Sequence, residues 1–447
     1  MLFAGRLKMI KKILVILCLL LPLNAKAKLL EMSYFKLSNG LEVAVIENHK
    51  APVVLQMLYY KTGSVNDPLG KGGIAHLLEH MMFRGTKNVA DQMFNRLTDE
   101  NGAENNAYTT YNETGYYEFS DISKLELMMA LEADRMVNLN LSEEAFLKER
   151  DIVLQERLQR FETKPTPLFY EMLNEMLWQE HPLSHPVSGK VDEIKGLTKE
   201  DAQAFYQKWY RPDNALLVLS GDISVDEAKV LAQKYYGSIK GENKAIKVEE
   251  YASPKELEST LRLKLKGVEQ PRFAMSILLL GGAFSKQEIL ALELLGLYLA
   301  ADDAAYLYDK LVYQDKKLLS VDMGTSYDEK LGGTLSFYAT AFDMNVFRGD
   351  MSELILKTAE KGVSELTEER LSKIKNQMLT STVYLQENPQ SAARFAGDML
   401  LNGFSAEEIM HYDEAIEKVS VEDVKSVWKK VMTSKTRVSG YLEAKDE

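Results

Sequence analysis

The stretch Gly73-Ile-Ala-His-Leu-Leu-Glu-His-Met-Met-Phe-Arg-Gly-Thr86 governs the interpretation of the whole sequence. A helix is predicted to begin near Ile74, and residues four apart on a helix share a face. His76 and His80 can therefore present two imidazoles to one metal ion, with Glu79 on the same side. Zinc suits this set, because it makes water acidic near neutral pH and a neighbouring carboxylate can accept the proton.

Catalytic zinc sites usually have three protein ligands, so a third ligand must come from elsewhere in the chain. The remaining histidines are poor candidates: His49, His411, His181 and His185. The first two stand alone, and the last two are each followed by a proline that breaks a helix. Glu149 and Glu156 are better candidates, because seven residues are two turns along one helix face. The residues alone leave the choice between these two glutamates open.

Outward from the motif, the sequence reads as two similar halves. Strands are predicted at residues 41–47, 53–60 and 215–222, and helices at residues 121–138, 142–161 and 225–236. The second half repeats the order of strand (273–280), small residues (281–282) and helix (287–300), but without histidines. The charged stretch 240–255 is predicted to link the halves. We therefore expect a duplicated fold with domains at residues 28–245 and 246–447.

The first residues have the pattern of an export signal. A basic start is followed by the apolar run 13–23 and by a small-residue cleavage pattern that ends at Ala27. We expect residues 1–27 to be removed and the protein to be exported to a bacterial periplasm, without a stable membrane span. The alternative is an uncleaved membrane anchor. Cys18, the one cysteine of the chain, lies in this segment, so the mature chain has no disulfide.

The quoted stretch resembles the signature of the pitrilysin/insulinase family of inverted-zinc metallopeptidases, and within it the short processing-peptidase branch. The resemblance implies an α+β fold of two similar α/β domains, each a mainly antiparallel sheet packed with helices, facing each other as a clamshell. It implies one Zn²⁺ per chain, with Glu156 as the third ligand and Glu149 behind the metal. It also implies that Asn106 and Ala107 lie on an edge strand to which an extended peptide substrate adds.

One segment departs from the family pattern. Active two-part members carry an arginine and a tyrosine in the second half, which grip the substrate and the oxyanion. Val312 and Leu319 occupy those positions here, and neither side chain can donate a hydrogen bond. Tyr306, Tyr308 or Tyr313 would replace the tyrosine but not the arginine. The resemblance thus implies a heterodimer with a homologous subunit that carries the pair; the competing interpretation is a self-sufficient monomer or homodimer.

The sequence therefore predicts a zinc metalloendopeptidase that hydrolyses peptides or unfolded protein segments, with Glu79 as the base. Two alternatives belong to other classes: a non-catalytic peptide-binding scaffold or chaperone of the same fold, and a peptide-binding transport subunit that would not need Glu79. A net charge of -12 argues against a nucleic-acid partner, because phosphate binding needs a basic face.

Overall fold

The computed structural model describes residues 30–242 and 251–445. The predicted signal, residues 1–27, and the middle of the predicted link, residues 243–250, lie outside the described residues. The strands are β1 Ser33–Lys36, β2 Glu42–Glu47, β3 Val53–Tyr60, β4 Glu104–Thr109, β5 Thr114–Asp121, β6 Ala215–Gly221, β7 Leu257–Leu265, β8 Arg272–Leu279, β9 Leu318–Asp328, β10 Gly332–Ala341 and β11 Thr436–Ala444.

These strands form two mixed sheets, one in each half of the chain. The first sheet has the order β1-β2-β6-β3-β5-β4, and the second has the order β7-β11-β8-β10-β9. Each sheet contains one parallel pair, β2 with β6 and β7 with β11, and its other neighbours are antiparallel. The predicted α+β architecture of two similar α/β halves is confirmed. In the first sheet, β4 lies at the edge, and among the described strands β5 is its one neighbour.

Helices cover both sheets. They are α1 Ile74–Met81, α2 Met93–Glu100, α3 Leu125–Asn138, α4 Glu143–Arg157, α5 Pro165–Trp178, α6 Val191–Lys195, α7 Lys199–Trp209, α8 Val225–Tyr236, α9 Lys286–Ala300, α10 Tyr306–Tyr308, α11 Met344–Arg348, α12 Met351–Glu365, α13 Glu368–Val383, α14 Pro389–Leu401, α15 Ala406–Met410, α16 Tyr412–Lys418 and α17 Val421–Met432. In the described part of the chain, no helix has the length and apolar character needed to cross a membrane.

Each half lends one helix to the sheet of the other half. Helix α5 packs on β7, β8 and β11, where Phe169 and Leu173 share a buried apolar cluster with Val438. Helix α14 packs on β2, β3 and β6, where Ala393 and Ala396 share a cluster with sheet residues of the first half. The opposite face of each sheet is covered by helices of its own half. The apolar cores of the two halves are therefore completed reciprocally.

Two glycines allow these borrowed helices to approach closely. A Cβ atom added to Gly397 of α14 would lie 2.3 Å from the Tyr59 hydroxyl oxygen on β3. A Cβ atom added to Gly440 of β11 would lie 2.6 Å from the Phe169 ring on α5. Such distances are far below van der Waals contact, so either substitution would force the helix away from the sheet.

The predicted elements match closely in some places and deviate in others. Strand Val53–Tyr60 and helix Val225–Tyr236 have the predicted limits. The predicted helix 142–161 instead changes to a π-helical segment, Leu158–Glu162, after α4. Arg157 lies five residues before Glu162, and its guanidinium pairs with that carboxylate and with Glu171. A spacing of five residues is that of a π turn, which brings the two partners together.

Candidate metal centre and substrate chamber

The start of α1 is anchored by a buried carboxylate. The backbone N–H of Gly73 donates to Asp67 Oδ2 at 2.7 Å, and that of Ala75 donates to Asp67 Oδ1 at 3.1 Å. Burial raises the pKa of Asp67 to about 8, although these backbone donors oppose the shift. Gly73 adopts a φ of 87°, and a Cβ there would lie 2.6 Å from the carbonyl oxygen of Ser188. The helix that carries the motif therefore begins at a fixed point.

Helices α1 and α4 bring His76, His80 and Glu156 together. The Nε2 atom of His76 lies 4.0 Å from Glu156 Oε2, and the Nε2 atom of His80 lies 3.5 Å from the same oxygen. One potential ligand atom from each residue lies within 4.8 Å of the other two. Of the two candidate glutamates, Glu156 rather than Glu149 faces both Nε2 atoms.

The electrostatics of this cluster suit a bound cation. Burial lowers the pKa of His76 to about 4, which keeps the imidazole neutral, as a metal ligand must be. Burial would also lower the pKa of His80, but its contacts with Glu149 and Glu156 outweigh that effect and raise the pKa to about 9. Two carboxylates thus stabilise positive charge at this imidazole. Two nitrogens and one carboxylate oxygen are a donor set that Zn²⁺ accepts.

Glu149 lies behind His80, on the side away from Glu156. Its side chain is buried, and its Oε2 atom lies 3.1 Å from Nδ1 of His80. Arg84 donates from Nε to the other carboxylate oxygen, Oε1, at 2.5 Å. Burial alone would raise the pKa of Glu149, but these two partners outweigh it and lower the pKa. An ionised Glu149 can therefore fix the orientation of the His80 ring.

Glu79 lies on α1, between the two histidines in sequence, and its carboxylate receives a hydrogen bond from the edge strand β4. The Thr109 hydroxyl donates to Glu79 Oε2 at 2.6 Å. Burial raises the pKa of Glu79, and the hydrogen bond from Thr109 opposes that rise. Asn106 and Ala107 precede Thr109 on β4, which pairs with β5 alone. The predicted base and the predicted peptide-binding edge are therefore neighbours.

These residues line a chamber of about 960 Å³ between the two halves. The first half contributes the histidine helix, β4, the π-helical segment and α5. The second half contributes a sheet wall: Ala274, Ser276, Thr334, Ser336 and Tyr338. Tyr170 of α5 meets Tyr338 edge-on, with ring centroids 5.6 Å apart. A space of this size is large enough for an extended segment of peptide.

The second-half segment that departs from the family pattern lies outside this chamber wall. Val312 packs against the core of the second half, and Leu319 is 45% exposed. The Tyr306 hydroxyl donates to Glu365, and the Tyr308 ring contacts the Tyr313 ring. The described residues that line the chamber include neither Val312 and Leu319 nor any of these three tyrosines.

Several contacts of the site were not predicted from the sequence. They involve Asp67, Arg84, Thr109 and Arg160. Arg160 lies in the π-helical segment. Its Nη1 atom lies 2.6 Å from Glu156 Oε1, the oxygen turned away from the histidines. Thr109 ends the strand on which Asn106 and Ala107 were predicted to lie, but nothing in its spacing from Glu79 indicated the contact.

Comparisons with known proteins agree with this geometry. A model of the insulinase family (peptidase family M16) matches residues 42–191, and a model of the M16 inactive domain matches residues 196–378. The zinc protease PqqE of Helicobacter pylori is 28% identical over 385 residues, which cover 85% of this chain and 86% of that protein. A probable mitochondrial-processing peptidase subunit beta of Schizosaccharomyces pombe is 30% identical over 203 residues, covering 45% of this chain and 44% of that protein.

The fold agrees over nearly the full described length with a solved structure of a protease from Helicobacter pylori. The TM-score is 0.85 at 25% identity, and the match covers 93% of this chain and 99% of that one. Two family models match residues 42–191 and 196–378, and the fold of both halves agrees with that structure. The chain therefore belongs to the insulinase family of peptidases, family M16, with the zinc-motif domain followed by the domain described as inactive.

Proposed function

We propose that this protein is a zinc metalloendopeptidase that hydrolyses peptides or unfolded protein segments. The observation that carries the proposal is the half-buried carboxylate of Glu79 beside the cluster of His76, His80 and Glu156, in a chamber bordered by the edge strand β4. Relatives that are named zinc proteases support the same reading. In this proposal the chamber receives an extended segment of the substrate.

In this proposal the residues of the chain have separate tasks. His76, His80 and Glu156 would hold one zinc ion, which when bound would supply a Lewis acid that polarises the scissile carbonyl and acidifies water. Glu79 accepts a proton from the attacking water and delivers it to the leaving amine. Residues Asn106 and Ala107 align the substrate backbone by strand addition at the free edge of β4. The second-half sheet forms the wall that borders the chamber on the other side.

The Glu79→Gln variant tests the proposal. Glutamine keeps the shape of the side chain but cannot accept a proton, so turnover of a peptide pool should fall by about a hundredfold or more. Zinc content, measured by elemental analysis, should stay at one ion per chain, because the three ligands are untouched. Glu369→Gln, an exposed change on α13, is the matched control and should retain both properties. Turnover of Glu79→Gln at the wild-type rate would show that Glu79 is not the base.

We further propose that the active form is a heterodimer and that the protein is exported. The exposed Leu319 and the core-packed Val312 leave no arginine–tyrosine pair in the second-half segment. One relative is itself named as the beta subunit of a peptidase, which supports a second, homologous subunit. Removal of residues 1–27 would leave Lys28 at the N-terminus, and mass spectrometry of protein from its native host tests this.

A further inference from the structure

Thr109 ends strand β4, and its hydroxyl oxygen lies 2.6 Å from Glu79 Oε2. We propose that Thr109 is a positioning residue, which holds the Glu79 carboxylate toward the metal cluster and links it to the strand edge that receives the substrate. The inference rests on the proposed peptidase function, because it assigns to Thr109 the task of aligning the base. It adds a residue whose side chain is expected to touch neither the metal nor the substrate.

The first argument is the scarcity of partners for Glu79. Among the described residues, 30–242 and 251–445, Thr109 is the one hydrogen-bond donor to the Glu79 carboxylate. Glutamate has three rotatable side-chain bonds, so an unheld carboxylate samples several rotamers. A short hydrogen bond from a fixed donor selects a single orientation of the carboxylate.

The second argument is the rigidity of the donor. Threonine is branched at Cβ and has few χ1 choices. Its backbone is fixed by register, because Thr109 pairs with Thr114 of β5 and the next residue closes the hairpin by donating to the Glu113 carbonyl. The neighbouring Tyr108 points to the opposite face of the sheet, where Arg394 of α14 lies over its ring. Contacts on both faces thus hold the strand end that presents the hydroxyl.

The third argument concerns the substrate. A peptide that adds to the free edge of β4 pairs with backbone groups two and three residues before Thr109, at Ala107 and Asn106. The same strand therefore aligns the scissile segment on one side and the base on another. The distance between the attacked carbonyl and the Glu79 carboxylate is then set by one element, which is how preorganised sites lower the barrier to reaction.

The test compares Thr109→Val with Thr109→Ser. Valine keeps the branched shape and removes the donor, so kcat should fall roughly ten- to a hundredfold while KM and zinc content stay unchanged. Serine restores the donor and should recover most of kcat. Thr358→Val, which removes a threonine hydroxyl bonded to a helix carbonyl in the second half, is the matched control and should leave kcat unchanged.

A crystal structure of Thr109→Val provides a readout that does not depend on activity. The Glu79 carboxylate should leave its wild-type orientation or lose ordered density, while His76, His80 and Glu156 stay in place. An unmoved Glu79 in this variant, or equal kcat in the valine and wild-type proteins, would overturn the positioning role. Wild-type protein that is zinc-loaded but inactive with every partner and peptide would instead overturn the proposed function, and the crystal comparison would still decide the role of Thr109.

Discussion

At the scale of single residues, the contact between Glu149 and His80 makes a measurable prediction about metal affinity. Glu149→Gln removes the negative charge behind the imidazole, so zinc affinity should fall by about ten- to a hundredfold. Competition with a chromogenic chelator measures this. The His76→Ala/His80→Ala double variant should lose the metal entirely. The control is Glu144→Gln, an exposed change in the first turn of α4, the helix that carries Glu149; this variant should bind zinc like the wild type. Unaltered affinity in Glu149→Gln would reduce this glutamate to a structural acid.

The same residues show how far the site could be predicted from the sequence. The shared face of His76, Glu79 and His80 follows from helical spacing alone. The prediction of Glu156 as the third ligand required the family resemblance, because spacing alone left Glu149 equally suitable. The contacts of Asp67 and Thr109 join different elements, and such contacts depend on how the elements pack. No local pattern encodes them, so they became visible only in the folded chain.

At the scale of elements, the close approach of α14 to β3 predicts a sharp effect of a single methyl group. Gly397→Ala places that group against Tyr59, so the variant should lose about 1–3 kcal/mol of unfolding free energy through overpacking. Urea denaturation measures the loss. Gly296→Ala in α9 is the control: its Cβ has ordinary clearance of 3.9 Å from Met323, and alanine favours the helix by up to about 1 kcal/mol. Equal stability of the two variants would contradict the tight packing.

A carboxylate pair at the contact between α14 and the first sheet predicts a dependence of stability on pH. Burial raises the pKa of Glu113 to about 7 and that of Asp398 to about 6, and Arg394 opposes both shifts. Tyr59 and Tyr108 also face this pair of carboxyl groups. Both folded-state values lie above those of an unfolded chain, about 4. The folded protein therefore holds protons that the unfolded chain has lost, and its stability falls as the pH rises from about 4 to about 7.

The Asp398→Asn variant tests this dependence. The variant removes one of the two titrating carboxyl groups, and with it the negative charge that raises the pKa of Glu113. The urea midpoint should therefore decline less between about pH 5 and about pH 8 than in the wild type. Asp226→Asn, an exposed change on α8, should leave the decline unaltered. A decline of the same size in all three proteins would show that other groups cause it.

The elements also mark the limit of prediction from sequence. Apolar runs and turn residues gave β3 and α8 with their observed limits, because those signals are local. The π-helical turn after α4 depends on the buried pairing of Arg157 with Glu162 and Glu171, and the second of these belongs to another helix. The exchange of α5 and α14 was not predicted at all, since an apolar helix face does not reveal which sheet it covers.

At the scale of the whole molecule, the missing arginine–tyrosine pair predicts that activity depends on a second subunit. Zinc-loaded chain alone should turn over peptides slowly, and a homologous partner with the pair should raise the rate by about a hundredfold or more, the usual value of a preorganised oxyanion donor. Changing the partner's arginine to alanine should abolish the stimulation. Equal rates with and without the partner would favour a self-sufficient monomer or homodimer, in which another donor of this chain serves the oxyanion.

The reciprocal placement of α5 and α14 has a consequence for how such a chain can be divided. A fragment that ended between the halves would expose the apolar sheet face that the other half covers, so neither fragment should fold alone. Co-expressed fragments should instead find each other and reassemble, because each carries the missing piece of its counterpart's core. This is the geometry of a domain-swapped dimer whose two copies have been fused into one polypeptide. A chain of half this length with the same sheet would need a second copy to be complete.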